Sequence, residues 1–131
     1  MVWEDDKLVR VILAPGESVL LPSGIKMKVP EGHMLQFTNK SGIASKRHLL
    51  VGANVVDAFY EGECHINLHN VGNTEQVIEA GDKIVQGILI PVKLDMVEDV
   101  GSEEILYAGS SSDRGQGGFG SSGTKWCNFI E

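Results

Sequence analysis

The segment with the clearest chemical potential lies near the C-terminal end, where Gly and Ser surround one Arg and one Phe. Eleven of the sixteen residues in 109–124 are Gly or Ser, and they enclose Arg114 and Phe119. Glycine amides can approach phosphate oxygens closely, Arg can bind phosphate through two N–H groups, and an aromatic ring can stack on a nucleobase. This combination predicts a lid that orders over a nucleotide. The alternative is a flexible Gly/Ser linker in which the Arg and the Phe are incidental.

A second candidate is the segment Asn39-Lys40-Ser41-Gly42, which opens a short predicted helix over residues 41–47. Free backbone amides, a hydroxyl and a cation at the start of a helix form a natural anion site. The alternative is a simple N-cap, for which Ser41 is well suited, beside a surface lysine.

The third candidate is the segment Val51–Glu63, an apolar run that is broken by Gly52 and Asn54. This pattern predicts a hairpin whose edge presents backbone donors and acceptors. Asp57 follows two valines, so we expect its carboxylate in or beside an apolar setting, where aligning a water for attack is one use. Tyr60 could pack a sugar ring or could equally belong to the core.

His65 and His69 have the spacing of a metal-binding pair, but that spacing brings two ligands together only on a helix. The residues around them alternate between apolar and polar, which predicts a strand. On a strand the two histidines stand about 13 Å apart. We therefore predict no zinc site, and no metal held by protein side chains.

The elements that must position these residues are mostly strands. Apolar residues alternate at Ile25, Met27 and Val29 and again over residues 64–69, and turn signals recur at short intervals. Residues 83–92 are apolar enough to predict a strand that is buried on both faces. The pattern predicts an all-β sandwich or barrel that resembles a jelly roll.

The composition changes at about Gly109, which predicts a domain over residues 1–108 and an arm and tail over residues 109–131. The last residues, 125–131, become apolar again, and we expect them to dock on another surface. Cys64 and Cys127 are expected to be free thiols.

The length of 131 residues fits one domain, and 42% hydrophobic with 22% charged residues is typical of a globular protein. A net charge of −7 argues against a general nucleic-acid binder or a membrane-surface binder. No apolar run approaches the roughly 18 residues that span a bilayer. We expect no nucleic-acid partner, no membrane partner and a cytoplasmic location, which would be the host cytoplasm for a viral protein.

Taken in order, four segments of the chain resemble the motifs of the trimeric dUTPase family. Lys40-Ser41-Gly42 is similar to the triplet that binds phosphates, and Val55-Val56-Asp57 with Tyr60, Gly62 and Glu63 is similar to the uracil-binding hairpin, in which Asn54 is also predicted to bind substrate. Gln86 matches a glutamine that contacts phosphate, and Arg114 to Gly123 matches the mobile C-terminal arm.

This resemblance implies a distorted jelly-roll β-barrel, a homotrimer, and an active site to which three subunits contribute. It also implies hydrolysis of dUTP to dUMP and pyrophosphate, with Mg²⁺ held mainly through the substrate triphosphate and water. Asp57 would orient the hydrolytic water, and Tyr60 would pack against deoxyribose and disfavour a 2′-hydroxyl. Arg114 would bind the γ-phosphate and Phe119 would cover the uracil. His65, Gly120 and Ser121 complete the predicted substrate-binding set.

The chain also departs from the family pattern. The first motif has no recognisable counterpart near the N-terminal residues, Lys40 replaces an Arg, and Val51 and Asn54 stand where Asn and Gly are frequent. These departures leave open a non-catalytic relative that binds nucleotides in a regulatory role. A dCTP deaminase of the related fold would need a general-base Glu beside the pyrimidine and a different hairpin sequence.

Overall fold

A computed structural model of the chain describes residues 1–121 and Gly123. The chain divides into two compact units, Met1–Asp95 and Met96–Glu131. The first unit contains β1 (Val2–Glu4), β2 (Lys7–Leu13), β3 (Ser18–Pro22), β4 (His33–Asn39), α1 (Ser41–Arg47), β5 (Leu49–Val51), β6 (Val55–Val56), β7 (His65–Asn70), β8 (Gln76–Glu79) and β9 (Val85–Pro91). The second contains the short helix α2 (Glu103–Leu106).

The strands form three antiparallel sheets of three strands each, in the orders β1-β2-β8, β3-β7-β5 and β6-β4-β9. The predicted all-β class is therefore confirmed. Over the residues that the structure describes, the strands do not close into one barrel. Within the described residues, no helix is long and apolar enough to cross a membrane.

Alternating burial explains how the strands pack. In β2, Val11 and Leu13 are buried while Arg10 and Ile12 face outward, as expected for a strand with one covered face. The larger core cluster contains Val11, Leu13, Leu21, Leu49, Leu68, Ile78 and Ile84. A smaller cluster under the sheet β6-β4-β9 contains Val29, Leu35, Val56 and Cys64.

Of the two alternating patterns, one forms a strand and the other does not. The alternating residues 65–70 form β7, so His65 and His69 do lie on a strand. Residues 25–29 form no strand: the Gly24 N–H donates to the Glu63 carboxylate at 2.7 Å, and the Ile25 carbonyl accepts from Cys64 at 2.9 Å. The backbone at the start of this segment therefore bonds to the loop before β7 and not to a strand.

The prediction that residues 83–92 are buried on both faces was wrong for the single chain. Ile88 and Leu89 of β9 remain 45% and 50% exposed. Because successive side chains of a strand point to opposite faces, neither face of β9 is fully covered within the single chain.

The predicted helix over residues 41–47 is confirmed, but Ser41 is its first helical residue and not its N-cap. Lys40 holds the N-cap position in extended backbone geometry and forms no side-chain cap. The predicted hairpin over Val51–Glu63 was also wrong, because β5 pairs with β7 whereas β6 pairs with β4. The division of the chain at residue 108 stays a prediction.

Candidate functional site

Two of the predicted phosphate-binding segments meet at one end of the sheet β6-β4-β9. Asn39 is the last residue of β4, and the register pairs Thr38 with Gln86 of β9. The Gln86 side chain donates a hydrogen bond to the Asn39 carbonyl, 2.9 Å away. The structure therefore places Gln86 directly beside the segment Lys40-Ser41-Gly42.

The backbone of the segment Lys40-Ser41-Gly42 starts the helix, and its N–H groups in the first turn are free to bind a ligand. The Lys40 carbonyl accepts the first helical bond from Ala44 at 2.9 Å. In the first turn of a helix the backbone N–H groups have no intrahelical partner. Ser41 and Gly42 are exposed, and a Cβ added at Gly42 would meet nothing within 4 Å. An anion could approach these amides closely.

Asn39 connects this segment to the strand that follows the helix. Its side-chain oxygen accepts the Val51 N–H at 2.9 Å, while its main-chain oxygen holds Gln86. Asn39 belongs to the segment that the sequence singled out, but its side chain was not among the predicted site residues. Its position directly before Lys40 was the available signal.

The predicted base-binding segment forms the opposite edge of the same sheet. Val55 and Val56 pair with Gln36 and Leu35 of β4, and the Asn54 carbonyl accepts the Phe37 N–H at 2.8 Å. Val56 is buried and Val55 is exposed. Because β6 is an edge strand, one side of its backbone is open to pair with the polar edge of a ligand.

Tyr60 lies on a tight turn beyond β6 and is fixed by its hydroxyl group. The Tyr60 N–H donates to the Asp57 carbonyl at 3.2 Å, and the Tyr60 hydroxyl donates to the Glu63 carbonyl at 2.8 Å. A Cβ added at Gly62 would overlap the Tyr60 hydroxyl and ring. Gly62 therefore leaves room for the ring, which is 45% exposed and belongs to neither core cluster.

Glu63 organises the end of the same segment. Its carbonyl accepts from both Tyr60 and the His65 Nδ1, the latter at 3.0 Å, and its carboxylate accepts from Gly24. His65 is exposed on β7. The structure thus places His65 beside Tyr60 through their shared acceptor.

Asp57 and Tyr60 line one groove of about 720 Å³. The lining residues are mostly apolar: His33, Met34, Val55, Asp57, Ala58, Phe59, Tyr60, Val92 and Leu94. The Asp57 side chain is exposed, and the ion pairs among the described residues involve other carboxylates. A solvated carboxylate on an otherwise apolar wall can accept a hydrogen bond from a water held against a ligand. His33 and Met34 lie far from any motif, so sequence reasoning did not find them.

The structure does not bring the base-binding and phosphate-binding segments together within one chain. Asp57 follows Val56, which pairs with Leu35, whereas Lys40 follows the other end of β4. Five residues of strand separate these points, or about 16 Å. Lys40 also lines a separate cavity of about 680 Å³, which excludes Asp57 and Tyr60.

The predicted arm residues belong to the second unit. The Arg114 Nε donates to the Gly117 carbonyl at 2.7 Å, and the Gly117 N–H donates to the Arg114 carbonyl at 2.9 Å. Phe119, Gly120 and Ser121 are exposed, and Phe119 has a positive φ of 45°. Cys127 and the apolar tail over residues 125–131 lie outside the described residues.

A family model described as dUTPase matches residues 8–123. A deoxyuridine 5′-triphosphate nucleotidohydrolase of Chlamydia caviae is 38% identical over 117 residues, which cover 88% of this chain and 78% of the relative. The enzyme of the same name from a Hydrogenobaculum species is 36% identical over 118 residues, covering 88% and 77%.

Solved structures agree with these sequence comparisons. A mutant dUTPase of Staphylococcus bacteriophage 80alpha with dUpNHpp has a TM-score of 0.78 at 26% identity, covering 88% of this chain and 82% of its own. A mutant dUTPase from phage phi11 of S. aureus, described with a coordinated structural Mg(II) ion, has a TM-score of 0.67 and 24% identity. It covers 73% of this chain and 80% of its own, and its likeness concerns the fold.

Proposed function

This chain belongs to the dUTPase family, and we infer that it hydrolyses dUTP to dUMP and pyrophosphate. Such an activity removes the precursor of uracil in DNA and supplies dUMP for dTTP synthesis. The observation that carries the inference is the family match across residues 8–123, which includes every predicted site residue.

We propose that the nucleoside binds at β6 and the groove beside it. The open backbone edge of Asn54, Val55 and Val56 would pair with the polar edge of uracil. The Tyr60 ring would pack against deoxyribose, where a 2′-hydroxyl would collide with it. His65, which shares an acceptor with Tyr60, would complete this half of the site.

The triphosphate would bind at the other end of the sheet. Lys40 supplies a charge, Ser41 and Gly42 supply exposed amides, and Gln86 is already fixed against the same segment. From the arm, Arg114 would bind the γ-phosphate and Phe119 would cover the uracil. Gly120 and Ser121 would add close backbone and hydroxyl contacts.

Asp57 would hold the water in line with the α-phosphorus and accept its proton. The new bond joins the water oxygen to that phosphorus, and the bond to the bridging oxygen breaks. The electron pair leaves with pyrophosphate. Positioning and charge neutralisation dominate such phosphoryl transfers, so the residues that contact the triphosphate and the water must act together.

We propose that the reaction uses Mg²⁺ that is held mainly through the triphosphate and water. Within the described residues, no group of three or more His, Cys, Asp or Glu side chains could hold a metal ion. Mg²⁺ keeps several waters and is usually bound through one or two carboxylates and substrate phosphates, so it does not need such a cluster of protein ligands. Bound there, the ion would neutralise triphosphate charge.

We propose a homotrimer whose sites combine segments from different subunits. Two observations support it. Asp57 and Lys40 stand at opposite ends of β4, and β9 leaves apolar Ile88 and Leu89 half-exposed. Burying such a surface between copies would stabilise a small domain. The three sheets would then belong to a distorted jelly-roll barrel, with residues 1–108 as the domain and residues 109–131 as arm and tail.

The experiment is pyrophosphate release from dUTP with MgCl₂, using wild-type protein and Asp57→Asn. Losing a general base costs about 10²–10⁴-fold in rate, so we expect release by the wild type and a loss of that size in the variant. Binding of dUpNHpp, measured by calorimetry, should survive the substitution. Wild-type protein that binds dUpNHpp but leaves dUTP intact would contradict the proposal and indicate a non-catalytic nucleotide-binding protein. We propose that the protein acts in the cytoplasm.

A further inference from the structure

Arg47, the last residue of α1, ties the helix to the strand β8. Its Nε donates to the Gln76 side-chain oxygen at 3.0 Å, and its Nη2 donates to the Val77 carbonyl. Its Nη1 lies 3.8 Å from the Asp82 carboxylate, and the Arg47 side chain is 28% exposed. One guanidinium thus contacts Gln76 and Val77 on β8 and Asp82 in the turn after it.

Asp82 closes the turn between β8 and β9. Its carboxylate accepts the Glu79 N–H and its own N–H donates to the Glu79 carbonyl, both at 3.0 Å. Residues 83–84 follow, and then β9 with Gln86. Arg47 therefore connects the far end of α1 to the turn from which Gln86 extends.

The start of the helix is anchored through Asn39, which bonds to Gln86 and to Val51, but the helix beyond its first turn has weaker support. None of its residues is fully buried, its N-cap residue forms no side-chain cap, and Ile43 is only partly buried against the core. A seven-residue helix has little stability of its own. The fork of a guanidinium can hold several acceptors at once, and an ammonium group cannot reproduce that geometry.

We propose that Arg47 is a positioning residue for triphosphate binding. It holds the far end of α1 against the β8–β9 turn, and so sets the direction of the helix and of its Ser41 and Gly42 amides, in addition to the bond between Gln86 and Asn39. Arg47 acts from the far end of the helix and need not touch substrate. The proposal rests on the proposed function, because these two segments are taken as the phosphate-binding ones.

The test compares Arg47→Gln and Arg47→Lys with the matched control Arg10→Gln. Arg10 also bonds to β8, through Glu79 at 3.1 Å, but both side chains of this pair are more than half exposed. Such a surface pair contributes little. Three quantities are measured for each purified full-length protein: the urea midpoint of unfolding, kcat and KM for dUTP, and the Kd values of dUpNHpp and dUMP.

Misplacing a substrate-positioning group by about 1 Å can lower an enzyme's rate by about 100-fold. We therefore expect Arg47→Gln, which shifts such groups, to raise the Kd of dUpNHpp and the KM for dUTP by about tenfold. The Kd of dUMP should change less than about twofold, because dUMP lacks the β- and γ-phosphates. Arg47→Lys should fall between the wild type and Arg47→Gln. Arg10→Gln should match the wild type. Gln76→Ala, which removes one acceptor of Arg47 on β8, should weaken dUpNHpp binding in the same direction.

Equal weakening of dUMP and dUpNHpp would show a general structural defect and overturn the proposal, as would unchanged dUpNHpp binding by Arg47→Gln. Gln76→Ala keeps the test decisive if Arg47→Gln fails to fold. Wild-type protein that neither binds dUpNHpp nor hydrolyses dUTP would overturn the proposed function, and this inference with it. If the wild type hydrolyses dUTP and the Arg47 and Gln76 variants bind dUpNHpp as the wild type does, this inference is overturned and the proposed function stands.

Discussion

Replacing Gly62 with Ala should change substrate selectivity without unfolding the protein. A Cβ at this position would overlap the Tyr60 hydroxyl and ring, so the ring must move. It can swing outward, since it is half-exposed. The tyrosine would then no longer form the wall that we expect to exclude a 2′-hydroxyl.

The structure allows the change in stability and the change in selectivity to be estimated. Moving Tyr60 breaks its hydrogen bond to the Glu63 carbonyl, which is worth about 1 kcal/mol. Gly62 is not among the glycines with positive φ, so Ala gains about 0.4–1 kcal/mol through the unfolded state. The free energy of unfolding should therefore change by less than about 1 kcal/mol. A pocket that rejects an added hydroxyl discriminates by about 10²-fold, so the ratio of kcat/KM for dUTP over UTP should fall by up to that factor.

The assay is pyrophosphate release from dUTP and from UTP, with Tyr60→Ala and the double variant completing a cycle. Once Tyr60 is absent, adding Ala at position 62 should have no further effect on the ratio. Tyr60→Phe keeps the ring and should retain most of the discrimination. An unchanged ratio in Gly62→Ala, or an equal fall in the Tyr60→Ala background, would refute the reasoning.

Three further substitutions test the fold and the assembly. Asn70, 1% exposed, bonds to three backbone groups, so Asn70→Leu should lower the free energy of unfolding in urea by about 3 kcal/mol; a loss below about 1 kcal/mol would contradict this. Gly52→Ala would place a Cβ on the Asn67 and His69 side chains, and should lower the free energy of unfolding in a thermal melt by about 1–3 kcal/mol; an unchanged stability would contradict this. If the proposed trimer forms through β9, Ile88→Lys should yield monomers in light scattering where the wild type yields trimers, and an intact trimer in the variant would argue against β9 as the interface.

The sequence predicted the elements best where its period matched local burial. Alternation over residues 64–69 gave β7, because Leu68 is buried while His65 faces outward. The same alternation at Ile25, Met27 and Val29 failed, since a strand also needs a partner. There the backbone bonds to Glu63 and Cys64 instead.

Long-range pairing limited what the sequence could say about the site. The apolar character of residues 83–92 predicted burial, but the sequence does not indicate whether the covering surface belongs to the same chain. The predicted hairpin was wrong because β5 and β6 join different sheets, a choice made by distant strands. The motifs named Gln86 and Tyr60, whereas the contacts that hold them, from Asn39 and Glu63, came only from the structure.

In the proposed reaction, Asp57 directs the attack of water on the α-phosphorus of dUTP. The most direct measurement is mass spectrometry of both products after hydrolysis in H₂¹⁸O with MgCl₂, for wild-type protein and for Asp57→Asn. We expect the wild type to yield dUMP that carries one ¹⁸O together with unlabelled pyrophosphate, and we expect the variant to yield far less of both while still binding dUpNHpp. Label in the pyrophosphate, or labelled dUMP formed equally fast by Asp57→Asn, would contradict the account.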